Sequence, residues 1–510
     1  MTNLTDLIKS RSRSLNEDHE PRLFDVSNAD DRADFQTLLD SDTSIEVLDE
    51  IHSQLKELVE IINPSKKLSD SESESIIIDY LNGVPTEEYG KWAYYSWNKR
   101  MVHVLPKNEF IRVRTNRNMY KITQDEQHAL AKKKIVVIGL SVGNSIATTL
   151  ARERVCGELR LADFDELELS NLNRISSTVD ELGIEKSINT ARQIALMDPY
   201  IKVRIWRNGA SRENLDEMLA EEPVDLVFDE CDNLDVKVAI REIARNHGIP
   251  VMMDTSDAGM LDIERFDREP DRDIFHGLIN HLDLDMVKDL KTSEEKIPYI
   301  LPILGVEKMS QELKISMMEI GESISTWPQL ASAVVGGAGV SVDAARRLLL
   351  GQIHDSGRYY FDSALELMPQ EETPQNSPVN TAPEMTFELA KEIAEEVGSS
   401  AADDAAEVEE EHLSSIVEAA TWAPSGGNMQ PWFWYYDERQ LYLIHDQAAS
   451  FSMLDFEHRG SYMAFGAALE NLRLKACQLG YGVDFSYPEN DKVAAVVTFH
   501  QDGFFDRPYA

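Results

Sequence analysis

The sequence predicts a doubly wound α/β domain, with a parallel sheet covered by helices on both faces, at the centre of a longer chain. Three observations predict it. From Lys134 onward, short β-rich runs alternate with helical ones. The strand candidates are near-continuous apolar runs, as a sheet buried on both sides requires. A glycine turn, Gly139-Leu-Ser-Val-Gly143, joins the first of these strands to the first helix, the position where such sheets hold ligands. The 510 residues leave room for roughly two to four domains.

In chain order, residues 1–110 read as a mostly helical extension. Ser44 to Ile62 carries Ile45, Leu48, Ile51, Leu55, Leu58, Ile61 and Ile62 at helical spacing. A compact aromatic segment, Trp92 to Trp97, follows as packing material, then a strand-like Met101 to Leu105. Within residues 111–365, strands are expected at Ile135–Ile138, Leu159–Ala162, Lys202–Trp206, Leu226–Phe228 and Val251–Met253. Helices are expected near Asn144–Arg154, Lys186–Met197, Arg212–Ala220 and Asp235–Asn246, and a last one over Ser341–Leu350. Residues 366–412 are Pro-rich, then acidic and alanine-rich, and read as a linker with a short helix at Phe387–Val397. A further region, 413–510, begins with a new pattern.

The formal net charge is −41, a field that repels nucleic acid and anionic lipid, so neither is expected as a partner. Cys156, Cys231 and Cys477 are far apart and form no Cys-x-x-Cys pair, which argues against a disulfide framework or zinc ribbon. The first twenty residues have no apolar core for a signal peptide, and no run approaches a membrane span. A cytoplasmic location is the expectation.

Chemistry concentrates at the strand ends. Gly139 permits a tight turn and Gly143 a close backbone approach to phosphate. Ser141 and Asn144 stand where the dinucleotide fingerprint has its second and third glycines. Asp163 lies 24 residues after Gly139 (163 − 139), placed to meet ribose hydroxyls. Asn171 and Arg174 are three apart and can share a helical face. Lys186 opens a helix after Gly183, and Asp229 and Asp232 follow the fourth strand. A carboxylate there suits Mg²⁺ on phosphate oxygens, and the cations suit the charge on departing pyrophosphate.

In order and spacing, Arg114-Thr-Asn-Arg117, Gly139 to Gly143, Asp163-Phe-Asp165, Ser170-Asn171-Leu-Asn-Arg174, Gly183-Ile-Glu-Lys186 and Asp229-Glu-Cys-Asp232-Asn233 resemble the ThiF/MoeB adenylyltransferase family, which includes the ubiquitin-activating enzymes. The resemblance implies a Rossmann-like nucleotide domain. It implies ATP held by Gly139, Ser141, Gly143, Asp163, Asp165 and Asn171. It further implies phosphate contacts from Asn171, Arg174 and Lys186, Mg²⁺ on Asp232, and Arg117 lent across a homodimer interface. The implied reaction is attack of a carboxylate on the α-phosphorus of ATP. Family members that form thioesters use a cysteine downstream of the metal aspartate. No cysteine lies between Cys231 and Cys477, so direct transfer without an enzyme thioester is expected.

Ile416 to Trp432, with Ala-Pro424-Ser425, Gly-Gly-Asn428 and Gln430-Pro-Trp, resembles the opening of the nitroreductase family. Gly460 to Leu479 resembles that family's long core helix. The resemblance implies a partial α+β domain and FMN near Pro424, Ser425, Asn428 and Gln430. About half of that fold is present, and the arginine pair expected for the flavin phosphate is absent. Such a fusion resembles a group of bacterial proteins. Three readings remain open at this point: an ATP-dependent adenylyltransferase acting on a carrier-protein C-terminus or a small acid, an FMN-dependent oxidoreductase whose ThiF-like part binds nucleotide or dimerises, and a catalytically silent scaffold.

Overall fold

The structure is a computed structural model that describes residues 17–362, 367, 382–398, 405–450, 455 and 458–501. These residues fall into two compact units. One is drawn from Met1–Gly305 and Gln329–Met368, the other from Val306–Pro328 and Pro369–Ala510.

The first unit opens with a small sheet. Strands β1 (Arg22–Phe24), β2 (Glu46–Leu48), β3 (Lys91–Tyr95) and β4 (Arg100–Val104) lie in the order β1-β3-β4-β2. Around it are helices α1 (Ala29–Ser41), α2 (Ile51–Ile62), α3 (Asp70–Leu81), α4 (Lys107–Arg114) and α5 (Gln124–Leu130). Helix predominates in this region, as expected, but the sheet was not anticipated. The helix expected from Ser44 begins only at Ile51, and residues 46–48 pair with β4 instead. The aromatic segment is half of a hairpin in which Trp92 faces His103 and the two rings stack at 4.0 Å. Aromatic side chains suit a half-buried pleated surface better than a helix.

The main sheet contains β5 (Lys134–Ile138), β6 (Glu158–Ala162), β7 (Lys202–Trp206), β8 (Leu226–Asp229), β9 (Val251–Asp254), β10 (Met260–Glu264) and β11 (Gly357–Tyr360). Its order is β11-β10-β9-β8-β5-β6-β7; β5 to β9 run parallel, and β10 and β11 add an antiparallel edge. Ile135 and Val137 face one core, with Leu150, Leu161 and Ile194; Val136 and Ile138 face the other, with Val227, Ile240 and Val251. Helices α6 (Gly143–Glu153), α7 (Lys186–Met197), α8 (Leu234–His247) and, beyond α9 (Ser293–Leu304), the later α11 (Ala331–Leu349) cover these faces. The helix expected at 212–220 shortens to one π-type turn over Glu217–Glu221. The last helix starts ten residues earlier than its apolar pattern suggests (341 − 331). The chain departs to both sides of β5, so the crevice above its carboxyl end is the switch point where ligands bind.

In the second unit α10 (Gln311–Glu319) stands apart in sequence from α12 (Phe387–Val397), α13 (Glu410–Thr421) and α14 (Arg459–Gln478). Strands β12 (Trp432–Asp437), β13 (Gln440–His445), β14 (Tyr481–Ser486) and β15 (Val493–Gln501) form an antiparallel sheet in the order β12-β13-β15-β14. Ile416, Ala468 and Leu472 from α13 and α14 pack on one face, Ile393 and Ala394 from α12 on the other. This corrects the linker expectation for 382–398 and 405–412. Helix α12 is part of a core, and the Ala406 amide donates to the Phe499 carbonyl at 2.6 Å. Amphipathic spacing at Leu389, Ala390, Ile393 and Ala394 outweighs the acidic composition. The rest of the expected linker lies outside the described residues.

Candidate functional site

The turn after β5 is built for a close approach. Gly139 has φ +89°, and a Cβ there would fall 2.4 Å from the Glu230 carbonyl, so no side chain fits. The Leu140 amide donates to Asp163 Oδ2 at 2.6 Å and the Asp165 amide to Asp163 Oδ1 at 2.8 Å. Asp163, buried at the end of β6, thus ties the glycine turn to the next loop, and burial raises its pKa. Helix α6 starts at Gly143 with no side-chain cap and no acidic residue in its first turn. The Ser145 amide donates to the Val142 carbonyl at 3.0 Å, and a helix start without side-chain cap or acid is the kind of end that can meet an anion.

Two loop residues differ from expectation. A Cβ on Gly143 would lie 2.7 Å from Val137 Cγ1, so this glycine serves helix-on-strand packing rather than an approach to phosphate. Asn144 is fully buried and turned away, donating to Thr190 Oγ1 at 2.9 Å and Gln193 Oε1 at 3.2 Å. It joins α6 to α7.

The remaining motif residues divide by how far they are already engaged. Lys186, 7 % exposed, donates to the exposed Asp165 carboxylate at 2.8 Å. Asn171 is buried, its Oδ1 taken by the Glu168 amide at 3.0 Å. Arg174 donates from Nε to Ser141 Oγ at 2.9 Å and from Nη1 to Asn173 Oδ1 at 2.8 Å. Partial burial lowers its pKa against the field of Asp232. Asp232 is exposed. Asp229, its neighbour in the motif, is fully buried and saturated by Lys237 at 3.1 Å and by Arg241. Burial disfavours its charge, but those two cations hold its pKa down to about 2. Of the two motif aspartates, the exposed Asp232 is the one that could hold a metal. Among the described residues no group of three or more His, Cys, Asp or Glu side chains converges as a metal cluster.

Arg117 is not brought to this site. It is exposed on the turn after α4. Asn118 of that turn donates to the Glu153 carbonyl at 3.2 Å, and Arg114 to that of Arg152 at 3.0 Å, both at the carboxyl end of α6. The glycine turn is at the other end of this helix, about 16 Å away for 11 residues.

Sequence reasoning missed Gln329. Its backbone carbonyl accepts Asn173 Nδ2 at 2.7 Å and its Oε1 accepts the Ser141 hydroxyl at 3.3 Å. No local pattern marks it, because its partners lie 156 and 188 residues away.

In the second unit the Ser425 hydroxyl accepts the Gln430 amide at 2.9 Å, and Asn428 and Gln430 are exposed with positive φ. Two exposed amides and one engaged hydroxyl on a surface turn do not by themselves fit a flavin.

Residues 114–262 match the model of the ThiF family, and residues 401–450 match that of the nitroreductase family. The chain is 40 % identical over 391 residues to "Uncharacterized protein MT1398" of Mycobacterium tuberculosis (strain CDC 1551 / Oshkosh), covering 76 % of this chain and 52 % of that protein. It is 30 % identical over 147 residues to tRNA threonylcarbamoyladenosine dehydratase 2 of Saccharomyces cerevisiae, covering 28 % of this chain and 33 % of that one. It is 25 % identical over 162 residues to ubiquitin-like modifier-activating enzyme 5 of Drosophila willistoni, covering 30 % and 39 %. The chain thus matches between a third and about half the length of these curated relatives. A ThiF-family segment running from Arg114 into β10 and a nitroreductase-family segment running through α13, β12 and β13 stand in one chain.

Proposed function

We propose that the parallel-sheet domain binds ATP with Mg²⁺ and adenylylates a carboxylate, either the C-terminus of a small carrier protein or a small acid. One observation carries the reading: an uncapped helix N-terminus, the Arg174 guanidinium and an exposed Asp232 all lie at the carboxyl ends of β5, β6 and β8. The names of the yeast and fly relatives support activation chemistry on a tRNA base or a protein modifier.

Asp163 would take the ribose, with the α6 amides, Asn171 and Lys186 on the phosphates. Asp232 would hold Mg²⁺, which supplies positive charge at the phosphate oxygens. The substrate carboxylate oxygen attacks the α-phosphorus, and the bond from that phosphorus to the pyrophosphate oxygen breaks. The carboxylate is already ionised near neutral pH, so no general base is needed. Arg174 and Lys186 stabilise the charge that gathers on pyrophosphate, each contributing on the order of 3 kcal/mol. Cys231 is a poor thioester nucleophile, because burial and its hydrogen bond to Asp229 keep it a thiol. Transfer then goes directly to a second substrate. In this reading Arg117 reaches the site only from a second copy of the chain.

Pyrophosphate exchange into ATP, dependent on an added carboxylate and measured across small acids and carrier proteins, tests the reading. Exchange with at least one member supports it; exchange with none, over a broad panel, counts against it.

The nitroreductase-family match favours a second reading, a flavoprotein whose ThiF-like part binds nucleotide or dimerises. A flavin absorption spectrum in the purified protein would support it.

A further inference from the structure

Arg174 stands at the focus of a small hydrogen-bonded relay that the proposed reaction does not by itself require. Its Nε donates to Ser141 Oγ at 2.9 Å, and the Ser141 hydroxyl donates onward to Gln329 Oε1 at 3.3 Å. Gln329 is in turn fixed through its own carbonyl by Asn173 Nδ2 at 2.7 Å, while Asn173 Oδ1 accepts Arg174 Nη1 at 2.8 Å. The four side chains close a ring joining the turn after β6, the glycine turn and the segment that leads into α11.

Each member has one role in that ring. Ser141 has a single hydroxyl hydrogen. With Gln329 as its acceptor, the hydrogen points away from Arg174 and the oxygen lone pair faces the guanidinium. Arg174 then has Nε and Nη1 committed, and among the described residues no protein acceptor takes Nη2. A guanidinium held on two sides presents its remaining nitrogen in a fixed direction, and fixed geometry is what stabilises a phosphate group. The ring also accounts for Ser141. A glycine at this fingerprint position would have no oxygen to relay.

We propose that Gln329 is a positioning residue for the nucleotide site, acting through Ser141 to aim the free Nη2 of Arg174 at the outer phosphates. This rests on the ATP reading above. Arg174 shares a field with Asp232, the carboxylate proposed to hold the metal, and metal and guanidinium together address the β- and γ-phosphates. AMP, which lacks those phosphates, provides the control.

The test is titration calorimetry of the full chain with Mg·ATP and with AMP, alongside thermal melting. Variants are Gln329→Ala, Gln329→Met (which keeps the volume and removes the acceptor), Ser141→Ala and the Gln329→Met/Ser141→Ala pair. Either single change at 329 is expected to weaken Mg·ATP about five- to tenfold, the size of one ordinary hydrogen bond. AMP binding and the melting temperature stay within error of the parent. The double variant is no weaker than Ser141→Ala, because both act on one path. Additive losses, an equal loss for AMP, or unchanged Mg·ATP binding in both Gln329 variants would overturn the proposal. A parent protein that binds no Mg·ATP would instead overturn the ATP reading, and the relay with it.

Discussion

Asp232 and Asp229 sit three residues apart at the end of the same strand, yet they belong to opposite kinds of charge. Asp229 is the centre of a closed cluster. Arg241, itself fully buried, links it to Glu264 and lies 3.9 Å from the Phe275 ring, and Lys237 closes the other side. At the rim of the crest the charges stay open: Asp232 is exposed after β8, and among the described residues no protein acceptor takes Arg174 Nη2. Charges paired in the interior hold the strand ends in register, while charges left half-solvated at the rim are free to meet a ligand. A motif alone does not separate the two. Burial and the partner list do.

The largest expected effect comes from the open side. Arg174→Ala and Asp232→Ala should each lower pyrophosphate exchange on the order of 100-fold or more while the melting temperature barely moves. A large melting shift from either would move that residue to the closed cluster. Next in size is the closed side. Arg241→Met leaves Asp229 and Glu264 buried without their shared cation, and should cost about 3–5 kcal/mol of stability in denaturant titration. Less than 1 kcal/mol would show that the cluster is not structural.

A third expectation concerns Asp254, buried at the end of β9 against Gly337 of α11, where its Oδ2 finds no partner among the described residues. Burial raises its pKa to about 6. The folded carboxyl keeps its proton longer than the unfolded one, so stability falls as pH rises from about 4 to about 6 and is flat above. Asp254→Asn should remove that fall and be more stable than the parent near pH 7, by up to about 3 kcal/mol. Equal stability curves from pH 4 to 7 would refute it. The smallest effect is at Asn144. Restoring glycine there deletes two hydrogen bonds between α6 and α7 and should cost about 1–2 kcal/mol in unfolding experiments without tightening Mg·ATP. Tighter nucleotide binding would return this position to the phosphate loop.

Much of the main sheet was legible in the sequence, because β5, β8 and β9 are near-continuous apolar runs, β6 and β7 carry apolar residues at alternate positions, and most helices between them carry clear periodicity. The small N-terminal sheet was not, since β1 and β2 are three residues each and too short to show alternation. Helix α12 was legible as a helix but not as core, because its partners β12 and β15 lie far along the chain. At the site, motif spacing placed Asp163, Asn171, Arg174, Lys186 and Asp232 at neighbouring strand ends. It did not show that Gly143 and Asn144 face packing, that Asp229 is already neutralised, or that Arg117 stands at the far end of α6. Each of those depends on which side of a helix or strand meets which neighbour, and spacing along the chain carries no such direction.

The most direct measurement is a crystal structure of the full chain grown with Mg²⁺ and a non-hydrolysable ATP analogue. The account predicts the triphosphate against the Gly139–Gly143 turn, the metal on Asp232 and Arg174 Nη2 on an outer phosphate. Nucleotide bound elsewhere, or bound at the crest with its metal away from Asp232, would contradict it.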